Sequence, residues 1–272
     1  MFRILQKKQL NEAVTSIMLE APLIACKVRP GQFLIVRIDE RGERIPLTVS
    51  DFDSVAGTVT IVVQAIGAST RRLTALNEGD SVLDVVGPLG MPTEFGEPKR
   101  AIIIGGGVGC AIAYPQAKAL YNMGVDTTVI AGFRSKDIVI LEDEMKKVSQ
   151  SLYITTDDGS YGEKGFVTDV LRRLLQSGEY DLVIAIGPVP MMKFVSLTTK
   201  EFGVKTIVSL NPIMIDGTGM CGGCRVNVGG EVKFACVDGP DFDGHLVNFD
   251  ELMRRNSFYR EEEAHACRMG VE

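Results

Sequence analysis

The run IIIGGGVGCAIAYP, Ile102–Pro115, decides the fold. Three isoleucines read as a buried strand, and Gly105, Gly106, Gly107 and Gly109 fall where it ends, just before a segment with helical apolar spacing. A phosphate at a helix N-terminus needs backbone amides to approach it with no Cβ in the way, which is what such glycines permit. The alternative is a tight strand-to-helix turn. Reading outward, DTTVIAGF (126–133), LYITTDD (152–158), YDLVIAIG (180–187) and VKTIVSLN (204–211) are further buried strands. AIAYPQAKALYNMG (111–124) and KGFVTDVLRRLLQSG (164–178) between them have helical periodicity. Strands alternating with helices predict a parallel sheet covered on both faces.

In such a sheet ligands bind at the carboxyl ends of the strands. Gly106, Gly107, Val108 and Gly109 would share that edge with two other loops. One is TTDDGSYGEKG, with Asp158 and Gly159; the other is AIGPVPMMK, with Gly187, Pro188 and Met191. Together they predict a nucleotide site. No acid ends the second strand to hold a ribose 2′-hydroxyl; it runs into GFRSKD, whose Arg134, Ser135 and Lys136 suit a 2′-phosphate or form a solvated turn.

Before this region, GQFLIVRID (31–39), IPLTVSDF (45–52), GTVTIVVQAIG (57–67) and DSVLDVVGPLG (80–90) are closely spaced β-branched runs, which predict a small antiparallel barrel. The division expected is a barrel over 1–98, an α/β nucleotide domain over 99–211, and a cysteine-rich module with a charged tail over 212–272. In the last, MIDGTGMCGGCRVNVGGEVKFAC (214–236) holds Cys221, Cys224 and Cys236. Three thiolates need a fourth ligand, either Asp216, which can equally be a turn-former beside Gly217, or His245. Either zinc or an iron–sulfur cluster would fit such donors. Cys26 and Cys110 stand singly and read as inert; Cys267, beside His265, is a weaker ligand or thiol candidate.

Bulk composition excludes other classes. A formal charge of -6 argues against a nucleic-acid binder. No apolar run approaches the ~20 residues of a membrane span. MFRILQKKQLNEAV lacks the features of a secretory signal, and six cysteines, three of them clustered, fit a metal site in a reducing cytoplasm better than a disulfide framework.

The order of these parts resembles the ferredoxin-reductase superfamily: a barrel strand ERIPLTVSD, a loop VVQAIGASTRRL, GPLG, then GGGVG. With the cysteine spacing added, the chain is similar to the electron-transfer subunit of dihydroorotate dehydrogenase. It is more similar still to the small subunits of NADH-dependent ferredoxin:NADP oxidoreductases, also known as sulfide dehydrogenase small subunits, because Asp216 stands where the former has a cysteine. The resemblance implies FAD in the barrel, with Pro46, Leu47 and Thr48 near the isoalloxazine and Thr48 hydrogen-bonded beside N5. It also implies that Val62, Val63, Gln64, Ser69 and Thr70 contact the rest of the FAD. Arg44 would be a further FAD ligand, although Ile45 separates it from Pro46 and shifts it by one residue against the dihydroorotate relatives. The resemblance further implies a [2Fe-2S] cluster on Asp216, Cys221, Cys224 and Cys236, and NAD(H), with NADP(H) possible, at the glycine edge. A larger flavin and iron–sulfur subunit would be the partner in a heterodimer or larger complex, with ferredoxin reached through it. Phe258 and Tyr259 in the tail are candidate anchors for that partner. The rival of another class is a sensor that binds nucleotide and metal without turnover.

Overall fold

The computed structural model describes residues 1–259, 261–262 and 264–265; Cys267 lies outside them. Strands β1 (Phe2–Asn11) and β2 (Val14–Glu20) are followed by the short helix α1 (Pro22–Ala25) and by β3 (Phe33–Arg37), β4 (Ile45–Asp53) and β5 (Thr58–Gln64). Helix α2 (Ala68–Ala75) leads to β6 (Ser81–Val82) and β7 (Asp84–Leu89). These strands form one antiparallel sheet in the order β6-β1-β2-β5-β4-β3-β7. Its two edge strands are separated in the chain by Leu83 alone, so the sheet has to curl until its edges nearly meet. The result is a near-closed barrel. Alternate residues such as Ile17, Leu19, Leu34, Val36, Ile61 and Val63 fill its interior.

The chain then enters β8 (Arg100–Gly106), α3 (Gly109–Asn122), β9 (Asp126–Phe133), α4 (Glu142–Lys147), β10 (Ser151–Thr156) and β11 (Glu163–Lys164). It continues through α5 (Val167–Ser177), β12 (Leu182–Ile186), α6 (Val189–Glu201) and β13 (Lys205–Ser209). A hairpin of β14 (Arg225–Val228) and β15 (Glu231–Phe234) precedes β16 (Asp241–Asp243) and α7 (Phe249–Arg255). The second sheet has the order β11-β10-β9-β8-β12-β13-β16, parallel except for β16, which pairs antiparallel with β13. Ile103 and Val129 face α3 and α4, while Ile102, Ile104 and Ile130 face α5 and α6. Burial on both faces is why these strands read as unbroken apolar runs. Strand order reverses at β8, between β9 on one side and β12 on the other, which opens the crevice where doubly wound sheets take ligands. One core joins the parts: Phe33 and Ile35 of β3 share a cluster with Val189, Met192, Cys224 and Cys236.

Candidate functional site

At the switch point the loops after β8 and β12 interlock. A side chain on Gly106 would meet Met191 Sδ at 2.5 Å, and one on Gly109 would meet the Ile186 carbonyl oxygen at 2.5 Å. Gly187 in turn lies against Gly106 and Met191. These glycines are required by packing between the two loops. Gly107 is different: its φ is +56°, nothing lies within 4 Å of the place a Cβ would take, and its N–H donates to the Gly132 carbonyl at 2.8 Å. Val108 follows it at the N-cap of α3. Cys110, packed behind Gly105, is fully buried, and burial pushes its thiol up to about 12.

The neighbouring edge is built from β9 and β10. Asp158 N donates to Arg134 O at 3.2 Å, which joins the two loops that the sequence singles out. The Asp158 carboxylate accepts from Ser160 Oγ at 2.6 Å and Ser160 N at 2.9 Å, and these bonds hold it below the usual carboxylate range. Gly159 sits beside it with φ +76°. Arg134 is exposed and makes no ion pair among the described residues.

In the barrel, β4 changes partner along its length. Ile45–Thr48 pair with β3, and the ladder to β5 begins only at Val49, opposite Ile61. Val62, Val63 and Gln64 therefore pair with β2 but not with β4, which leaves a gap in the wall between the two strands. Pro46 is exposed at this gap, with Leu47 and Thr48 half-buried. Ile45 points into the core, so Arg44 falls on the outward face with Pro46 and Thr48, exposed. The Val63 side chain is fully buried, so only its backbone can reach the gap. Ser69 and Thr70 lie in the first turn of α2, which follows that gap. Thr70 Oγ1 accepts from Gly67 N at 3.0 Å and caps its own helix, and Ser69 Oγ donates to Glu43.

The cysteine loop lies against the outward face of the β3–β4 pair, the face that carries Pro46 and Thr48. A side chain on Gly217 would meet Ile35 Cγ1 at 2.9 Å, and Ile35 is the direct cross-strand partner of Pro46. Asp216 is a turn-former here: Oδ1 accepts from Thr218 N at 2.6 Å and Oδ2 from Cys221 N at 2.8 Å. The Thr218 amide first among these holds the carboxyl below its ordinary range. A carboxylate offers about four lone-pair positions, so these bonds leave room for a metal. Cys224 and Cys236 are buried with their sulfurs 3.2 Å apart. Burial, and then the neighbouring Cys224, push the Cys236 thiol up to about 12. Asp216 is thus tied to Cys221 through that residue's backbone amide, and Cys224 to Cys236 through their sulfurs. His245 is engaged elsewhere: its Nε2 lies 3.0 Å from Thr199 Oγ1 on α6.

Residues 211–248 match the iron-sulfur cluster binding domain of dihydroorotate dehydrogenase B. Across its length the chain is 49% identical, over 96% of itself and 92% of the relative, to a dihydroorotate dehydrogenase B (NAD(+)) electron transfer subunit homolog of Thermotoga maritima. It is 36% identical to the electron transfer subunit of Shouchella clausii, over 83% of this chain and 89% of that one. The chain belongs to the family of dihydroorotate dehydrogenase B electron transfer subunits. Among solved structures, a chain of the NADH-dependent reduced ferredoxin-NADP oxidoreductase, studied for flavin-based electron bifurcation, superposes with a TM-score of 0.94. It is 46% identical, with 100% of this chain and 98% of that one covered.

Within this family member, sequence reasoning passed over one polar site. Asp241 on β16 projects between three segments: its Oδ2 accepts from Thr93 Oγ1 at 2.5 Å and from Gln116 Nε2 of α3 at 3.4 Å. Gln116 is fully buried, and neither Gln116 Oε1 nor Asp241 Oδ1 has a hydrogen-bond partner among the described residues. Asp241 is half-buried as a residue, but its Oδ1 is closed off from solvent, and burial of the carboxyl raises its pKa to about 6 against the pull of Ser209, Thr93 and Gln116. In the sequence, GPDFDG looks like an ordinary turn.

Proposed function

We propose that this chain is the electron-transfer flavoprotein subunit of a larger oxidoreductase. It holds FAD at the β4–β5 gap, a nicotinamide dinucleotide at the β8–β12 switch point, and a [2Fe-2S] cluster on Asp216, Cys221, Cys224 and Cys236. A larger flavin and iron–sulfur subunit exchanges electrons with it, and ferredoxin is reached through that subunit, in electron-bifurcating oxidoreduction of NADH, ferredoxin and NADP. The reading rests on one juxtaposition: Pro46, at the gap, and Ile35, under the cysteine loop, are paired across adjacent strands. Adjacent strands lie about 4.8 Å apart, so this chain can seat a flavin and a cluster on neighbouring strands of one wall.

Bound FAD would accept a hydride from the nicotinamide and pass on electrons singly. The chain's own groups bind and orient. The β4-facing edge of Val62–Gln64, which β4 does not cover, faces the flavin site, with Pro46, Leu47 and the Thr48 hydroxyl on the β4 side. Thr48 serves as a hydrogen-bond partner, and Ser69, Thr70 and the N-terminus of α2 face the rest of the cofactor. Val108 presents its amide to the dinucleotide beside Gly107, whose own N–H is bonded to Gly132, and Gly106, Gly109, Gly187, Pro188 and Met191 fix the floor beneath it. Arg134, Asp158 and Gly159 border the adenosine end.

The donor set suits the cluster. Two buried sulfurs 3.2 Å apart offer adjacent cysteine ligands of the kind an iron–sulfur cluster takes. A second reading, in which the partner is a dihydroorotate dehydrogenase, is favoured by the Shouchella clausii relative. Purification of the complex from its native host tests both. The expected result is about one FAD, two irons and two acid-labile sulfides per chain, in a complex larger than 29.5 kDa that oxidises NADH. Zinc without labile sulfide overturns the cluster. Dihydroorotate-dependent reduction of NAD(+) by the complex would select the second reading.

A further inference from the structure

The turn that carries Cys221 and Cys224 is bracketed by two arginines. Helix α7 starts on a capped turn, where Asn248 Oδ1 accepts from Glu251 N at 3.1 Å, and buries Phe249 and Leu252. That packing brings its last turn to the cysteine loop. There Arg255 Nη2 donates to the Gly223 carbonyl at 3.2 Å, and its guanidinium lies 5.9 Å from the centre of the Phe258 ring. From the hairpin side, the Arg225 Nη1 lies 3.5 Å from the place a Cβ on Gly222 would occupy. Among the described residues neither arginine has a carboxylate within ion-pair distance. In a chain of net charge -6, two unneutralised guanidiniums on one two-glycine turn are a concentrated positive field.

The Gly223 carbonyl belongs to the same peptide group as the Cys224 N–H. A charged donor on that carbonyl polarises the group and strengthens its N–H as a donor. On the other side of the residue, the Gly223 N–H lies 3.4 Å from Cys221 Sγ. Iron–sulfur potentials respond to net charge, hydrogen bonds to sulfur and solvent exposure. Arg255 is half-buried and pinned on two sides, so water and salt screen it less than the exposed Arg225.

Resting on the cluster assignment above, we propose that Arg255, aided by Arg225, is a positioning residue that raises the reduction potential of the [2Fe-2S] centre through the Gly222–Gly223 turn. The added electron is stabilised by a fixed positive charge one peptide away from the ligands, and the charge, more than the clamp, is what matters.

An EPR-monitored redox titration of the purified complex tests this, with Arg255→Gln, Arg255→Lys and Arg225→Gln beside the parent. Gln keeps a donor for the Gly223 carbonyl without the charge; Lys keeps the charge. Arg255→Gln should lower the ratio of reduced to oxidised cluster at a fixed potential by roughly threefold to tenfold, where tenfold is about 59 mV for one electron. Arg255→Lys should stay close to the parent. Arg225→Gln should shift the ratio in the same direction by less, and the shift should shrink in high salt. A parent-like potential for Arg255→Gln overturns the proposal. So does an equal shift, or equal loss of cluster, for Gln and Lys, which would make Arg255 a clamp alone. A parent complex with no EPR-active two-iron signal refutes the cluster assignment itself, and this inference with it.

Discussion

Replacing Asp241 by asparagine should stabilise the protein, and more so as the pH rises. Its carboxyl titrates near 3.8 when unperturbed and at about 6 in the folded chain, because burial penalises the charged form. Below pH ~4 both the folded and unfolded chains hold the proton. Between ~4 and ~6 the folded chain keeps a proton that the unfolded chain releases, so stability falls as pH rises through that window and stays low above it. At about 1.4 kcal/mol per pKa unit, the loss on the upper plateau is about 3 kcal/mol. The substituted asparagine would carry no charge at any pH. Its carbonyl could still accept from Thr93 and Gln116, and its amide could donate to Gln116 Oε1, which now has no donor.

Some of the gain is offset because hydrogen bonds to a charged acceptor are stronger than those to an amide. The net expectation is that Asp241→Asn gains roughly 1–3 kcal/mol over the parent at pH 8, and that this gain shrinks as the pH falls through the window to about zero near pH 4. At about 2 °C per kcal/mol for a chain of this size, the midpoint should rise by up to roughly 6 °C. Thermal midpoints of both proteins, measured at intervals from pH 4.5 to 8, provide the assay. The two curves should diverge with pH. Parallel curves, or a variant less stable than the parent at pH 8, would show that the carboxylate is paired or hydrated when ionised, and the reasoning would fail.

Asp216→Cys should retain a cluster with a shifted potential and altered EPR signal, because sulfur and oxygen donate differently to iron, while Asp216→Ala should lose the cluster or leave it labile; identical spectra for parent and both variants would leave Asp216 a turn residue only. Gly217→Ala puts a methyl at φ +76° and 2.9 Å from Ile35, a backbone cost of about 1–2 kcal/mol before the clash, so iron content should fall while FAD content holds. For the nucleotide, kcat/KM should be higher with NADH than with NADPH; Arg134→Ala should leave the NADH value within about twofold, and a strong NADPH preference that disappears in this variant would show that the exposed arginine selects a 2′-phosphate. Gly109→Ala should be more damaging to expression and thermal stability than Gly107→Ala, since a methyl at Gly109 meets the Ile186 backbone carbonyl at 2.5 Å while one at Gly107 meets open space and costs only the about 1–2 kcal/mol of a left-handed φ; equal loss of stability would contradict the packing account.

Much of the architecture was legible because its causes are local. Residues 101–104 are buried from both sides, so they had to be apolar without interruption, and such a run reads as a parallel strand in any context. The cysteine loop was legible because ligand chemistry restricts residue type. Helix α2 was not: ASTRRLTA buries only Leu73, has no apolar stripe, and depends on the Thr70 cap, so it reads as a small-residue loop. Asp241 was hidden for a related reason. Its burial comes from Thr93, 148 residues away, and Gln116, 125 residues away, and no periodicity in its own neighbourhood reports them.

The glycines of the 105–109 loop show how one signal can carry two causes. A sequence reader assigns all of them to phosphate approach, since each lacks a Cβ. In the folded chain Gly105 accommodates Cys110, Gly106 accommodates Met191 and Gly109 accommodates the end of β12, all by van der Waals exclusion. Gly107 alone combines a left-handed φ with open space. The packing glycines are what bring the β8 and β12 loops together. In the proposed dinucleotide site their contribution would be indirect, through the distance between two loops. The same logic holds at Gly217, where the missing side chain lets the cysteine loop descend onto Ile35, one strand away from the gap between β4 and β5.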